Sequence, residues 1–271
     1  LAALPESHDL KIALDAAEVL RPLAAAARTA GRTFGVLVEQ DVGLGRVGLQ
    51  TAEEVAELAV VCGELEGVRF RGVMFYPGHI RMAEEDQSDH LRDLSNRVED
   101  TLAAVDRLGL VAEIVSGGST PTLWRSHEVA GLTEIRSGSC IYNAREALDV
   151  GVTGPDDLAY TVLATVVSTA VPGRAVVDAG SKALAKESRG EGGGFGVLFD
   201  RPEVRVLGLS EEHGVLDLEG TTWRPRIGDR VRIVPNHVCV SVNLQDRLIA
   251  SDGPEHRYLE PEGRGRGPWQ G

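Results

Sequence analysis

"TFGVLVEQDVGLGRVGL", residues 33 to 49, carries the pattern of one strand, one loop and the approach to a helix. From Phe34 to Val38 it is a short apolar run, the pattern of a strand buried on both faces. Then it becomes a loop. Gly43, Gly45 and Gly48 allow a tight path, and the loop presents Asp41 and Arg46. Thr51 followed by Glu54 makes a capping box, so a helix begins just beyond. A strand, a glycine loop and a helix in that order form the repeating unit of a parallel sheet with right-handed crossovers.

The same alternation extends from Leu10 to about Gly151. "LKIALD", "RFRGVMFY", "AEIVSGG" and "EIRSGSCIY" read as further strands; "AAEVLRPLAAAARTAG", "AEEVAELAVVCGELEG", "MAEEDQSDHLRDLSNRVEDTLAAVDRLG" and a shorter segment after Pro121 read as helices. Five strands do not close an eight-stranded β/α barrel, which takes about 250 residues. The expectation is a partial (β/α)8 barrel over residues 1–152 with its first three strands upstream of Leu1. An open α/β sheet is the alternative, disfavoured because two bare apolar edges invite aggregation. The opening "LAALPESHDL" has neither an initiating Met nor the basic start of a signal peptide, in keeping with a chain that begins inside a longer reading frame.

Beyond Asp156 the helical pattern stops, and short apolar runs with Gly, Pro and Asp turns predict an all-β domain over residues 153–271. "KESRGEGGGFG" reads as a mobile or ligand-shaped glycine loop, and the tail from about Gly253, ending "GRGRGPWQG", as loosely held.

Composition narrows the partners. The chain has 271 residues, with 28 basic against 41 acidic and a formal charge of -13, which repels nucleic acid and anionic membranes and favours small molecules. Cys62, Cys140 and Cys239 are too few and scattered for a disulfide framework, and no apolar stretch is long enough to span a bilayer. The expected compartment is the cytoplasm.

In a barrel of this kind chemistry sits where strands end at their carboxyl side. Asp41 and Arg46 follow the second strand; Tyr76 and His79 follow the third, in "YPGHI". After "AEIVS" comes "GGSTPT", where the amides and hydroxyls of Gly117, Gly118, Ser119 and Thr120 could hold an anion at the start of a helix. "SGSCIY" supplies a second small-residue loop with Gly138 and Ser139. Each feature alone also has an ordinary reading as a capping loop, a packing residue or a tight turn.

In the β half, "RIVPNHVCVSVNLQD" (232–246) alternates valines with polar residues, and as a strand it would put His237 and Cys239 on one face. An imidazole and a thiol so placed can converge on one metal ion, zinc suiting the sulfur best and manganese less well.

Taken in order, "VEQDVGLGRVGL", "GVMFYPGHI", "VSGGSTPT", "TEIRSGSCIYN", "VVDAGSKAL", "LSEEHGVL" and "PNHVCVSVNL" resemble the D-threonine aldolase and D-serine dehydratase family, pyridoxal-phosphate enzymes of the alanine-racemase fold. The resemblance covers nearly the whole chain. It implies a β/α barrel carrying pyridoxal 5'-phosphate, a carboxy-terminal β domain carrying a metal, and a homodimer. It matches Arg46 to the arginine near the cofactor's phenolic oxygen and Tyr76 to the residue beside the pyridine ring. Gly117, Gly118, Ser119, Thr120, Gly138 and Ser139 match the phosphate cup, and His237 and Cys239 the metal pair. Two departures stand out. The family anchors its cofactor through a lysine on the first barrel strand, whereas the only lysines here, Lys11, Lys182 and Lys186, lie outside that motif. Cys140 and Ala144 stand where the family often has a tyrosine and an aspartate.

The resemblance implies a lyase acting on 3-hydroxy-D-amino acids. Retro-aldol cleavage would give glycine and an aldehyde; elimination would give a keto acid and ammonia. His79, or a water held by the metal, is the candidate base. Two other readings stay open: a noncatalytic cofactor-binding remnant without its lysine, and a racemase or decarboxylase, for which the metal pair would be superfluous.

Overall fold

The computed structural model describes residues 4–5, 7–190 and 192–264. The end of the "GRGRGPWQG" tail, and part of the opening decapeptide, lie outside the described residues. The chain divides into two compact units, Leu1–Gly138 and Ser139–Gly271.

The first unit alternates as the sequence predicts: β1 (Lys11–Leu14), α1 (Ala17–Thr29), β2 (Phe34–Gln40), α2 (Ala52–Gly63), β3 (Val68–Phe75), α3 (Ser88–Arg107), β4 (Ile114–Gly117) and β5 (Glu134–Ile135). The five strands pair in sequence order and all run parallel. Consecutive burial along β2, from Phe34 to Val38, follows from helices needing to pack on the sheet. The capping box of α2 forms as read: the Glu54 N–H donates to Thr51 Oγ1 at 3.2 Å, and the Thr51 N–H donates to the Glu54 carboxylate at 3.0 Å. After Pro121 the expected helix is only a 3-10 segment, Leu123–Glu128. "SGSCIY" lies wholly beyond β5, and half of it, Ser139–Ile141, forms a 3-10 turn.

One glycine is required by the sheet itself. Gly72 in β3 has φ +153°, and a Cβ there would lie 1.8 Å from the carbonyl oxygen of Ile114 in β4. The β2–β3 register shifts at the opposite position, between Val36 and Leu37, as a bulge does.

The second unit contains α4 (Arg145–Asp149), β6 (Val162–Ser168), β7 (Arg174–Val177), α5 (Ser181–Leu184), β8 (Gly196–Leu198), β9 (Arg201–Leu209), β10 (Gly214–Asp217), β11 (Arg230–Pro235), α6 (Val238–Asn243), β12 (Leu248–Asp252) and β13 (Glu255–Leu259). Six strands close an antiparallel barrel in the order β10-β7-β6-β11-β8-β9, which leaves none of them with a free edge. Val166, Val177, Val204, Val206, Leu216 and Ile233 are fully buried in its core. Among the described residues no helix is long and apolar enough to cross a membrane.

Two expectations are corrected here. Helices do not disappear beyond Asp156, since α5 and α6 follow. More important, "VCVSVN" is helix α6 and not a strand. Val238 and Ser241 are its buried residues, three apart as a helix requires. Val238 packs with Ala144 and Tyr160, and the Ser241 hydroxyl donates to the Ala183 carbonyl at 2.6 Å and meets the Tyr160 hydroxyl at 3.0 Å. Local packing thus overrides the strand preference of three valines.

Gly72→Ala should destabilise the first unit by roughly 3 kcal/mol, because the backbone of β3 and β4 must part to admit a methyl group. A urea unfolding curve measures this; a midpoint equal to wild type would contradict the packing described.

Candidate active site

In the first unit the sequence-predicted residues gather in the loops beyond the carboxyl ends of the strands. Asp41 is buried and shapes the loop after β2. Its carboxylate accepts the N–H groups of Gly43 (3.0 Å), Leu44 (3.0 Å) and Gly45 (3.0 Å), with the Gln50 side-chain amide at 3.4 Å. Burial alone would raise the Asp41 pKa, but these donors outweigh it and hold the carboxyl below its usual range. At the far end of the loop, the Gly48 N–H donates to Asp15 at 2.8 Å.

The loop so fixed lies against the turn after β3. The Arg46 guanidinium sits over the Tyr76 ring, 4.9 Å from its centroid, as a cation on an aromatic face. Close packing continues at Gly78, where a Cβ would lie 2.3 Å from the Tyr76 ring, and at Gly43, against the His79 ring. The His79 Nδ1 is buried with no hydrogen-bond partner among the described residues. Burial first, then the nearby charges of His90 and Arg97, lower its pKa against the pull of Asp41, so the imidazole is neutral near pH 7.

The two small-residue loops meet within this unit. The Arg136 N–H donates to the Gly117 carbonyl at 2.9 Å, and the Thr120 and Ser137 hydroxyls are 2.9 Å apart. Ser119 is tied into its own turn by Thr122, whose Oγ1 accepts the Ser119 N–H at 3.2 Å. Gly117 admits no side chain, since a Cβ would fall 2.2 Å from the Phe75 ring. Gly138 ends this unit, and Ser139 opens the next.

Three charged groups here were not singled out from sequence. Arg136, at the end of β5, donates to Ser116 Oγ (2.9 Å) and to the Phe75 carbonyl (2.6 Å). Burial raises the pKa of Glu39 against the opposing pull of Arg46. Asp15 follows β1. All three stand at or just past strand ends, where a charged residue in sequence is indistinguishable from the ordinary polar end of a strand.

In the second unit His237 caps the start of α6 from extended backbone. Its Nδ1 is hydrogen-bonded to the Glu146 carboxylate, and Cys239 follows two residues later in α6. The hydrogen bonds to Cys239 and Glu146 overcome burial and push the His237 pKa up to about 10. The two residues stand at the start of a helix and not on one face of a strand. Among the described residues no group of three His, Cys, Asp or Glu side chains forms a complete metal site. The donor set suits an ion held by two protein ligands, with the carboxylate orienting the imidazole from behind. Glu146 has no sequence signal as a partner, being 91 residues from His237.

Because the Asp41 pKa is lowered on folding, its contribution is full above the unfolded value and lost as pH falls through the folded one. The first unit should therefore lose stability below about pH 4. Asp41→Ala should cost about 1 kcal/mol at pH 7, by leaving three part-buried amides without their acceptor. Denaturation curves at pH 7 and pH 3 measure both effects; an Asp41→Ala protein as stable as wild type at pH 7 would contradict them.

A family model described as the alanine racemase N-terminal domain matches residues 1–146, and one described as a putative serine dehydratase domain matches residues 159–251. The chain is 29% identical to the 3-hydroxy-D-aspartate aldolase of Paracoccus denitrificans over 98% of its own length and 70% of the relative's. It is similar to the crystal structure of D-threonine aldolase from Filomicrobium marinum, with a TM-score of 0.82 and 30% identity, covering 92% of this chain and 68% of that one. The D-threo-3-hydroxyaspartate dehydratase of Delftia sp. HT23 has a TM-score of 0.79 and 27% identity, with 93% and 72% covered. That dehydratase has also been solved as a cysteine-to-alanine mutant in the metal-free form and as a histidine-to-alanine mutant, the two positions lying two residues apart. The chain belongs to the D-threonine aldolase and D-serine dehydratase family, lyases of the alanine-racemase fold.

Proposed function

We propose that the protein is a pyridoxal-phosphate and divalent-metal dependent lyase acting on 3-hydroxy-D-amino acids. The observation that carries this reading is the Glu146 carboxylate bound to the His237 imidazole, with Cys239 two residues further on at the start of α6. We read the parallel sheet of the first unit as an arc of a β/α barrel with its chemistry at the carboxyl end.

The residues present fit the phosphate and ring of the cofactor. Gly117 leaves no side chain between its loop and Phe75, and Gly118 turns the loop at φ +84°. With Ser119 and Thr120 these residues would hold the phosphate; Arg46 and Tyr76, already stacked, would flank the ring. The covalent anchor is not matched. Lys11 lies at the amino end of β1 and pairs with Asp9 at 2.9 Å, and Lys182 is bound to Glu211 and Glu212. When bound, pyridoxal phosphate supplies an electron sink for charge developing at Cα. A zinc or manganese ion at His237 and Cys239 supplies a Lewis acid for the β-hydroxyl. His79, kept neutral, is in the state that a proton acceptor needs.

Two products compete. A His and Cys two residues apart, as in the dehydratase pair of mutants, favours elimination to a keto acid and ammonia. The length-wide likeness to aldolases supports the second reading, cleavage to glycine and an aldehyde. Incubating the full chain, pyridoxal phosphate and zinc with 3-hydroxy-D-aspartate and with D-threonine separates them. With the cofactor anchored through a lysine as in the family, keto acid and ammonia from the D-isomers alone are expected. Glycine would establish the second reading, and bound cofactor without either product would indicate a remnant that has lost catalysis.

Metal binding should depend steeply on pH. The ion takes neutral imidazole, whereas His237 with a pKa of about 10 is protonated near neutrality. Displacing that proton, together with the one on the Cys239 sulfur, makes zinc affinity rise at least about 100-fold from pH 6.5 to 8.5. Competition titrations at the two values read it directly, and a pH-independent affinity would refute the assignment of His237 as a ligand.

A further inference from the structure

We propose that Asn236 is a positioning residue for the metal pair, setting both His237 and the carboxylate that orients it. This rests on the reading of His237 and Cys239 as metal ligands. Asn236 directly precedes His237 and is 2% exposed, a depth at which a carboxamide must find hydrogen-bond partners. It finds them on separate segments. Its Nδ2 donates to the Glu187 carbonyl and to the Gly194 carbonyl, each at 2.8 Å, on either side of the glycine-rich loop between α5 and β8. Its Oδ1 accepts from Arg145 at 3.3 Å. Its main-chain carbonyl accepts the Glu146 N–H at 3.2 Å.

These contacts place the start of α4 against the end of β11. Arg145 and Glu146 are consecutive, as are Asn236 and His237, so two adjacent pairs of residues are bound to each other twice. The outer link is Asn236 to Arg145 and to the Glu146 main chain; the inner link is His237 to the Glu146 carboxylate. Removing the outer link frees the chain that carries the inner one. The loop is part of the same arrangement: Arg145 also donates to the Gly193 carbonyl, and Arg205 holds the Gly192 carbonyl at 2.6 Å. The glycine-rich stretch is thereby explained as backbone whose carbonyls serve as acceptors for the side chains behind the clip.

Asn236 has no atom assigned to the metal, and so its effect must appear as ligand geometry as well as affinity. The full chain is titrated with Co2+, whose bond to a thiolate gives a sulfur-to-metal charge-transfer band. Asn236→Ala should bind Co2+ about 10- to 100-fold more weakly and lose intensity in that band. Asn236→Asp keeps the size but cannot donate to the two carbonyls; it should show the same loss despite its added negative charge, and it serves if the alanine variant fails to fold. Leu216→Ala loosens the barrel of the same unit without touching the clip and should leave both readouts unchanged. Wild-type affinity and band in the Asn236 variants, or an equal loss in Leu216→Ala, would overturn the positioning role while the metal reading stands. No Co2+ binding by the wild-type chain would overturn both.

Discussion

The Glu146 carboxylate bound to the His237 imidazole is the constraint on which the proposed metal site of the second unit depends. Glu146 and His237 come from segments 91 residues apart, and only a rigid support keeps them in contact. The closed barrel provides that support: β11 ends at Pro235, directly before Asn236 and His237. The hydrogen bonds to Cys239 and Glu146 hold the imidazole protonated near neutrality when no ion is bound. By linkage, this raised pKa stabilises the unit fully below the unfolded value of about 6.5 and ceases to do so as pH climbs through the folded one. A divalent ion held by His237 and Cys239 would take the place of two protons, one from the imidazolium and one from the thiol, leaving the local charge unchanged.

The first unit works by close approach. Its loops after β2 and β3 interlock because glycine stands where rings and backbone need the space, and because one buried aspartate binds three successive amides. The result is a fixed Arg46 on Tyr76, with Arg136 and Glu39 near enough to influence one another's charge. Such a set of opposed charges on a rigid frame would need little reorientation to hold the anionic, conjugated cofactor of the proposed reading.

Much of this was legible in the sequence, for identifiable reasons. Periodicity located the parallel strands and the three long helices, since continuous apolar runs and amphipathic stretches differ in length and spacing. The glycine loops were legible because few residues other than glycine tolerate their backbone. The His237 and Cys239 pair was found by spacing, but its local structure was not. "VCVSVN" satisfies both a period of two and a spacing of three, and the deciding contacts of Val238 and Ser241 with Tyr160 and Ala183 come from elsewhere in the chain. Glu146 was invisible for the same reason, as was the second use of Asn236. Arg136 and Glu39 were hidden because a charged residue at the end of an apolar run reads as the end of a strand.

The central claim is that one nitrogen and one sulfur of this chain bind the same ion. Zinc-edge X-ray absorption of the full chain loaded with one equivalent of zinc tests it most directly. The account predicts a first shell containing one sulfur at about 2.3 Å and a histidine nitrogen at about 2.0 Å. A shell of oxygen and nitrogen alone, with no sulfur, would contradict it.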